Sequence, residues 1–252
     1  MDEEALARLD EAPYTALDAL TPLRGPKVQS AFTPHLFTCS DGRNYWVKRG
    51  AQQGLVAELV SGRLAALSSA GPEAAIVKVE PESLTESGLP ADYEGVRVGI
   101  LDVRDAVNGK DLQSVSLAAV DPKTISDADR ARVVAFQTWI GANDSQVLID
   151  LANGRLWSID HGDVFGALSG APDPQVVVTN VPGLPHDHGC NPDLVADAVA
   201  GIESLDDDAI LASVARVPDE AGWQADPARR LAIARWLSSR RDQLREVMKK
   251  WQ

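Results

Sequence analysis

The sequence predicts an α+β fold with a β-rich N-terminal lobe and a mainly helical C-terminal lobe. Three observations predict it. Short β-prone runs broken by turn residues fill much of residues 28–103. Asp41-Gly42 and Asn153-Gly154 mark two tight hairpins, because these residue types tolerate positive φ. From residue 193 onward the texture is helical, in three stretches. The boundary falls at 105/106, giving an N-terminal lobe of residues 1–105 and a C-terminal lobe of residues 106–252.

In chain order, residues 1–20 read as a short acidic helix and a lead-in segment, followed by strands over 28–32, 35–39 and 44–48. Leu55, Leu59, Leu64 and Leu67 recur near helical spacing, and Gly71-Pro72 closes the helix read over 54–67. The β-branched runs 74–79 and 96–103 are two more strands, with 81–94 between them as loop. Pro122, Ser126 and Asp127 announce a helix whose face is Ala131, Val134, Ala135, Thr138 and Trp139. Strands over 147–151 and 155–159 flank the Asn-Gly turn, and the Pro/Gly-rich stretch 170–191 is loop. Helices over 193–201, 206–214 and 226–250 close the chain. In the last, Ala234, Leu237, Leu244, Met248 and Trp251 form a heptad-like stripe, read first as core packing and second as a surface for a partner helix.

Composition excludes several classes. With 44% hydrophobic and 24% charged residues in 252, the chain is ordinary globular protein. A net charge of −13 repels nucleic-acid phosphates and anionic lipid, so no direct electrostatic nucleic-acid partner is expected. The acidic start has no basic segment followed by an apolar core, and no apolar run has the length of a membrane span. Cys39 and Cys190 lie far apart in no metal-like spacing, which fits a reducing cytoplasm. His186-Asp187-His188-Gly189-Cys190 offers metal-binding residue types, but all are local to one loop with no partner pair elsewhere, so it reads as loop.

The chemistry-bearing residues fall in two places. Tyr45-Trp46-Val47-Lys48 ends an apolar strand in a lysine. Alone, such a lysine is more often a solvated strand end than a phosphate ligand. Glu58, early on the next helix, changes the balance, because a strand lysine paired with a helix glutamate orients nucleotide phosphates. The second place is Ser158-Ile159-Asp160-His161-Gly162, after the Asn-Gly hairpin. An aspartate leaving a buried strand before a glycine can hold Mg²⁺ bridging phosphates, or can close an Asx turn on its own backbone. Asp144, in the segment running from Trp139 into the hairpin, is either a polar loop residue or the acceptor of a substrate hydroxyl proton.

Together these residues resemble the HipA-like kinases and, more distantly, phosphoinositide kinases with an Ile-Asp-aromatic-Gly signature. The pieces are Tyr45 to Lys48, Ala57-Glu58-Leu59, Trp139 to Asp144, and Leu156 to Gly162. The resemblance implies a two-lobed protein-kinase-like fold clasping ATP and Mg²⁺, with phosphate passed to a protein serine or threonine or to a smaller alcohol. It implies Lys48 on the phosphates, Glu58 orienting Lys48, Asp144 as the catalytic aspartate and Asp160 as metal ligand. It further implies that 98–103 is the hinge strand beside adenine and that Phe32-Thr33-Pro34-His35 lies over the phosphates. Two departures stand out. The asparagine expected five residues after the aspartate is Ile149, leaving Gln146 as the candidate amide ligand for the metal, and the turn over the phosphates lacks glycine. These departures set a nucleotide-binding pseudokinase beside the active kinase as the alternative reading. An interaction protein docking through its C-terminal stripe is the third.

Overall fold

The computed structural model describes residues 1–23, 34–49, 54–104, 112–142, 145–162, 164–165, 190–220, 223 and 226–249. Five strands close into a barrel in the order β1-β2-β3-β5-β4: β1 (Ala16–Leu23), β2 (His35–Cys39), β3 (Asn44–Val47), β4 (Ala74–Val79) and β5 (Gly95–Leu101). All neighbours run antiparallel except β1 and β4. Alternation along the strands decides what each face carries. Phe37, Cys39, Tyr45, Val47, Val77 and Val79 fill the barrel, with Leu84 and Tyr93 from the β4–β5 connection. Ile76 and Val98 belong instead to a larger apolar cluster shared with helix α2 (Leu55–Leu67).

Helix α2 carries buried residues around most of its circumference, so it sits inside the molecule rather than on its surface. It lies on β4 and β5, and Gly62 permits the approach: a Cβ there would come within 2.3 Å of the Ala74 Cβ. At its far side, Arg63 donates to the carbonyls of Ser213 at 3.0 Å and Ala215 at 2.8 Å.

The rest of the described chain is helical apart from one sheet. Strands β6 (Leu112–Ser116), β7 (Gln146–Asp150) and β8 (Arg155–Ser158) form an antiparallel sheet in that order. Around it lie α4 (Asp127–Ile140), α5 (Pro192–Glu203), α6 (Asp207–Val214) and α7 (Pro227–Lys249). The Ser126 and Asp206 side chains cap α4 and α6, accepting from Asp129 N at 3.4 Å and Ala209 N at 2.7 Å. In α7, Ala234, Leu237, Leu244 and Met248 are all buried in the chain's own core. The stripe is therefore core packing, and the docking reading loses the surface it needed; Trp251 lies outside the described residues. Helix α1 (Glu3–Asp10) packs on α6 and α7, where Asp10 accepts from both terminal nitrogens of Arg230 at 3.0 and 2.7 Å.

Three elements differ from the sequence expectation. Strand β1 replaces a lead-in segment; only Ala19 in it is buried and Leu20 is exposed, so no apolar alternation announces it. Residues 81–94, read as loop, hold α3 (Pro81–Ser87) and a 3₁₀ turn over Ala91–Tyr93. Pro81 at the first helical position and Gly88 at φ 67° just past the last are that helix's signals. Strand β6 follows residues 105–111 and has no fully buried residue. The strand read over 28–32 lies outside the described residues. Among the described residues no helix is long and apolar enough to cross a membrane, and Cys39 and Cys190 are not joined in a disulfide.

Candidate active site

Strand β3 delivers Lys48. Its backbone N–H donates to Val98 O on β5 at 3.2 Å, keeping residue 48 in register one step past the strand. The alternation that buries Tyr45 and Val47 in the barrel sends Trp46 and Lys48 to the opposite face. There the Lys48 ammonium meets two carboxylates, Glu58 Oε2 at 2.8 Å and Asp160 Oδ1 at 2.6 Å. Burial pushes the lysine toward neutrality, but the two carboxylates more than reverse this and hold its pKa above the usual value. The side chains are graded in exposure: Glu58 2%, Lys48 15% and Asp160 38%.

Glu58 sits in the first turns of α2, its own N–H bonded to Gly54 O at 2.8 Å. The oxygen that takes Lys48 also accepts the backbone N–H of His161 at 2.9 Å. One buried carboxylate oxygen thus joins the β3 lysine to the turn carrying Asp160. That turn leaves β8 with Asp160 at φ 62°, a left-handed conformation that aspartate tolerates better than most residues. The end of β8 is pinned twice, by Ser158 N to Ala70 O at 2.8 Å and by Ile159 N to Gln146 O at 3.2 Å.

A polar chain behind the turn was not singled out in the sequence. Gln137 Nε2 donates to Ser158 Oγ at 3.0 Å, and Ser158 Oγ is 2.8 Å from His161 Nε2. The His161 ring stands edge-on to Phe136, and burial lowers its pKa to about 4, so it is neutral at pH 7. The available signal was Gln137, an amide set between the apolar residues 133–136 and 139–140 of α4, which the structure buries fully. Beside the lysine, Trp46 Nε1 donates to Asp102 at 3.3 Å, and the Arg104 guanidinium, held by the same carboxylate, lies 4.8 Å over the indole ring.

The structure thus brings together Lys48, Glu58 and Asp160, and sets Gln146 beside residue 159 at the start of β7. Asp144 lies outside the described residues, as do Phe32 and Thr33 of the turn expected over the phosphates. Ile149 is buried in β7, paired across the sheet with Leu156, so no side-chain ligand can come from that position. The donor set fits a divalent cation at Asp160. Its carboxylate is partly exposed, spends one oxygen on Lys48 and has no bond on the other among the described residues. Residues His186 to Gly189 are likewise outside the described set, and no group of three or more His, Cys, Asp or Glu able to hold a metal occurs among the described residues.

The family model described as HipA-like kinase matches residues 23–167, more than half of the chain. Among solved structures, the Helicobacter pylori proinflammatory kinase CtkA superposes with a TM-score of 0.61 at 12% identity, covering 94% of this chain and 98% of that one. At that identity the likeness establishes a shared fold. The Golgi casein kinase, solved also with Mn/ADP bound, gives a TM-score of 0.42 at 11% identity over 98% of this chain and about 75% of its own, a likeness too low to carry an argument. Among curated proteins no sequence match is found.

Proposed function

The chain belongs to the HipA-like kinase family, and from that premise we propose that it binds ATP with Mg²⁺ in a cleft between two lobes, residues 1–105 and 106–252, and passes the γ-phosphoryl to a hydroxyl of a protein or small alcohol. The observation that carries the reading is the Lys48 ammonium held between the carboxylates of Glu58 and Asp160. In this reading Lys48 turns to the nucleotide phosphates and Glu58 keeps it aimed. Asp160 holds the metal, with Gln146 as the nearest candidate for an amide ligand, and Asp144 accepts the proton of the hydroxyl. A bound divalent ion would neutralise charge on the phosphates and draw them into line. A second reading, a nucleotide-binding pseudokinase, is favoured by one observation: the apolar burial of Ile149 where an amide ligand is expected.

Titration of Mg·ATP into wild type, Lys48→Ala, Asp160→Ala and Asp144→Ala, with ADP production measured in parallel, tests both readings. Binding should weaken at least tenfold in Lys48→Ala and Asp160→Ala. Asp144→Ala should bind like wild type and lose about 10²–10⁴-fold in turnover. Equal Mg·ATP affinity in wild type and Asp160→Ala would falsify the metal assignment. Tight binding with no turnover in wild type, across a panel of acceptors, would favour the pseudokinase.

A further inference from the structure

We propose that Gly54 is a positioning residue, which rests on the functional reading above. Its bare Cα lets the first turn of α2 lie against the backbone of Gly162, at the end of the turn that carries Asp160, so that the lysine's partner and the metal carboxylate are held as one unit. A Cβ on Gly54 would stand 2.2 Å from Gly162 O, 3.0 Å from its carbonyl carbon and 3.2 Å from its Cα. These are backbone atoms, and no rotamer change moves them aside. Gly54 also has φ +107°, where side-chain-bearing residues are strained.

The close approach closes a ring of contacts. Gly54 O accepts from Glu58 N at 2.8 Å, Glu58 Oε2 accepts from His161 N at 2.9 Å and from Lys48 Nζ at 2.8 Å, and Lys48 reaches Asp160 at 2.6 Å. Raising the 2.2 Å contact to the 3.4 Å at which ordinary van der Waals contact begins takes a displacement of about 1.2 Å. A displacement of that size along the 2.9 Å His161 N–Glu58 bond would carry it out of hydrogen-bond range. Two other glycines separate the possible causes. Gly42 has φ +78° but would meet nothing within 4 Å, so alanine there is strained without obstruction. Gly162, the glycine that the sequence motif highlights, would place a Cβ only 3.6 Å from Glu58 Oε2, an ordinary contact. Of these three glycines, the crowded one is Gly54, outside the motif.

The test compares Gly54→Ala and Gly42→Ala in the full chain, by NMR amide exchange without ligand and by Mg·ATP titration. Gly54→Ala should speed exchange of the His161 amide at least tenfold and weaken Mg·ATP binding at least tenfold. Gly42→Ala, strained but unobstructed, should stay within twofold of wild type at both readouts. A folded Gly54→Ala with wild-type exchange at His161 overturns the proposal. Failure of wild type itself to bind Mg·ATP strikes the functional reading, while the unliganded exchange still decides the geometry. If Gly54→Ala does not fold, exchange of wild type across a low-urea series decides. One shared opening free energy for the Glu58 and His161 amides supports a single unit, and distinct energies overturn it.

Discussion

Removing the Glu58 carboxylate tests the centre of the site without reference to any ligand. In Glu58→Ala the buried His161 N–H loses its acceptor at 2.9 Å, which costs about 1–3 kcal/mol. Lys48 loses one charge-assisted bond at 2.8 Å but keeps Asp160 at 2.6 Å, so it is not stranded as an uncompensated buried charge, and that loss is about 1–2 kcal/mol. The total is about 3 kcal/mol, a fall of about 6–12 °C in thermal midpoint for a chain of this length. Glu58→Gln keeps an oxygen able to accept in the same place and should cost about 1 kcal/mol. Urea unfolding at pH 7, followed by far-UV circular dichroism, measures each variant alone and in a Lys48→Met background. There the loss from Glu58→Ala should shrink by at least about 1 kcal/mol, since the lysine bond is already gone. A Glu58→Ala cost below about 0.5 kcal/mol, or equal costs in both backgrounds, refutes the shared-oxygen reasoning.

Two further outcomes concern the frame around the site. Burial raises the Asp10 carboxyl, but its bonds to Arg230 and to the Arg216 amide outweigh this, and its folded pKa lies below the ordinary 3.8. The stabilisation is thus present above that ordinary value and lost as pH falls through the lower folded one. Asp10→Asn should cost about 1–3 kcal/mol at pH 7, and its urea midpoint should converge on that of wild type as the pH drops below about 4. Arg240, buried with its pKa lowered by desolvation to about 10, stays charged at neutral pH and donates to the carbonyls of Trp139, at 2.7 Å, and Thr138 at the end of α4. Arg240→Leu should cost about 2–4 kcal/mol in urea unfolding. Arg240→Lys should recover little of it, because lysine lacks the planar guanidinium whose Nε and Nη2 meet the two carbonyls at once.

The parts of this molecule legible in its sequence are those fixed by short-range chemistry. Asp41-Gly42 placed the β2–β3 turn, where Gly42 adopts φ 78°, and Ser126 placed the start of α4. The order of strand lysine, helix glutamate and strand-end aspartate was enough to anticipate the ion pair between Lys48 and Glu58. What was not legible depends on partners distant in sequence. Strand β1 buries almost nothing of its own and exists because its backbone pairs with β2 and β4. The contact of Glu58 with the His161 amide joins residues 103 apart, and it is backbone geometry, which side-chain pattern does not encode. Gly54 looked like a helix start, and its crowding against Gly162 follows from where α2 docks.

The same long-range geometry bears on the departure at position 149. In β7 the side chain of Ile149 is committed to the core, so restoring an amide there would bury a polar group among apolar neighbours rather than present it to a ligand. The edge of the sheet nearest Asp160 is the other end of β7, at Gln146, whose carbonyl already takes the Ile159 N–H. In our reading a divalent ion held by Asp160 would therefore take most of its remaining coordination from phosphate oxygens and water, the usual arrangement for Mg²⁺. Such an ion would bind the protein weakly alone and well only with nucleotide. That places the demand for order on the elements holding Asp160 and Lys48, and here those elements are tied together through the single buried oxygen of Glu58.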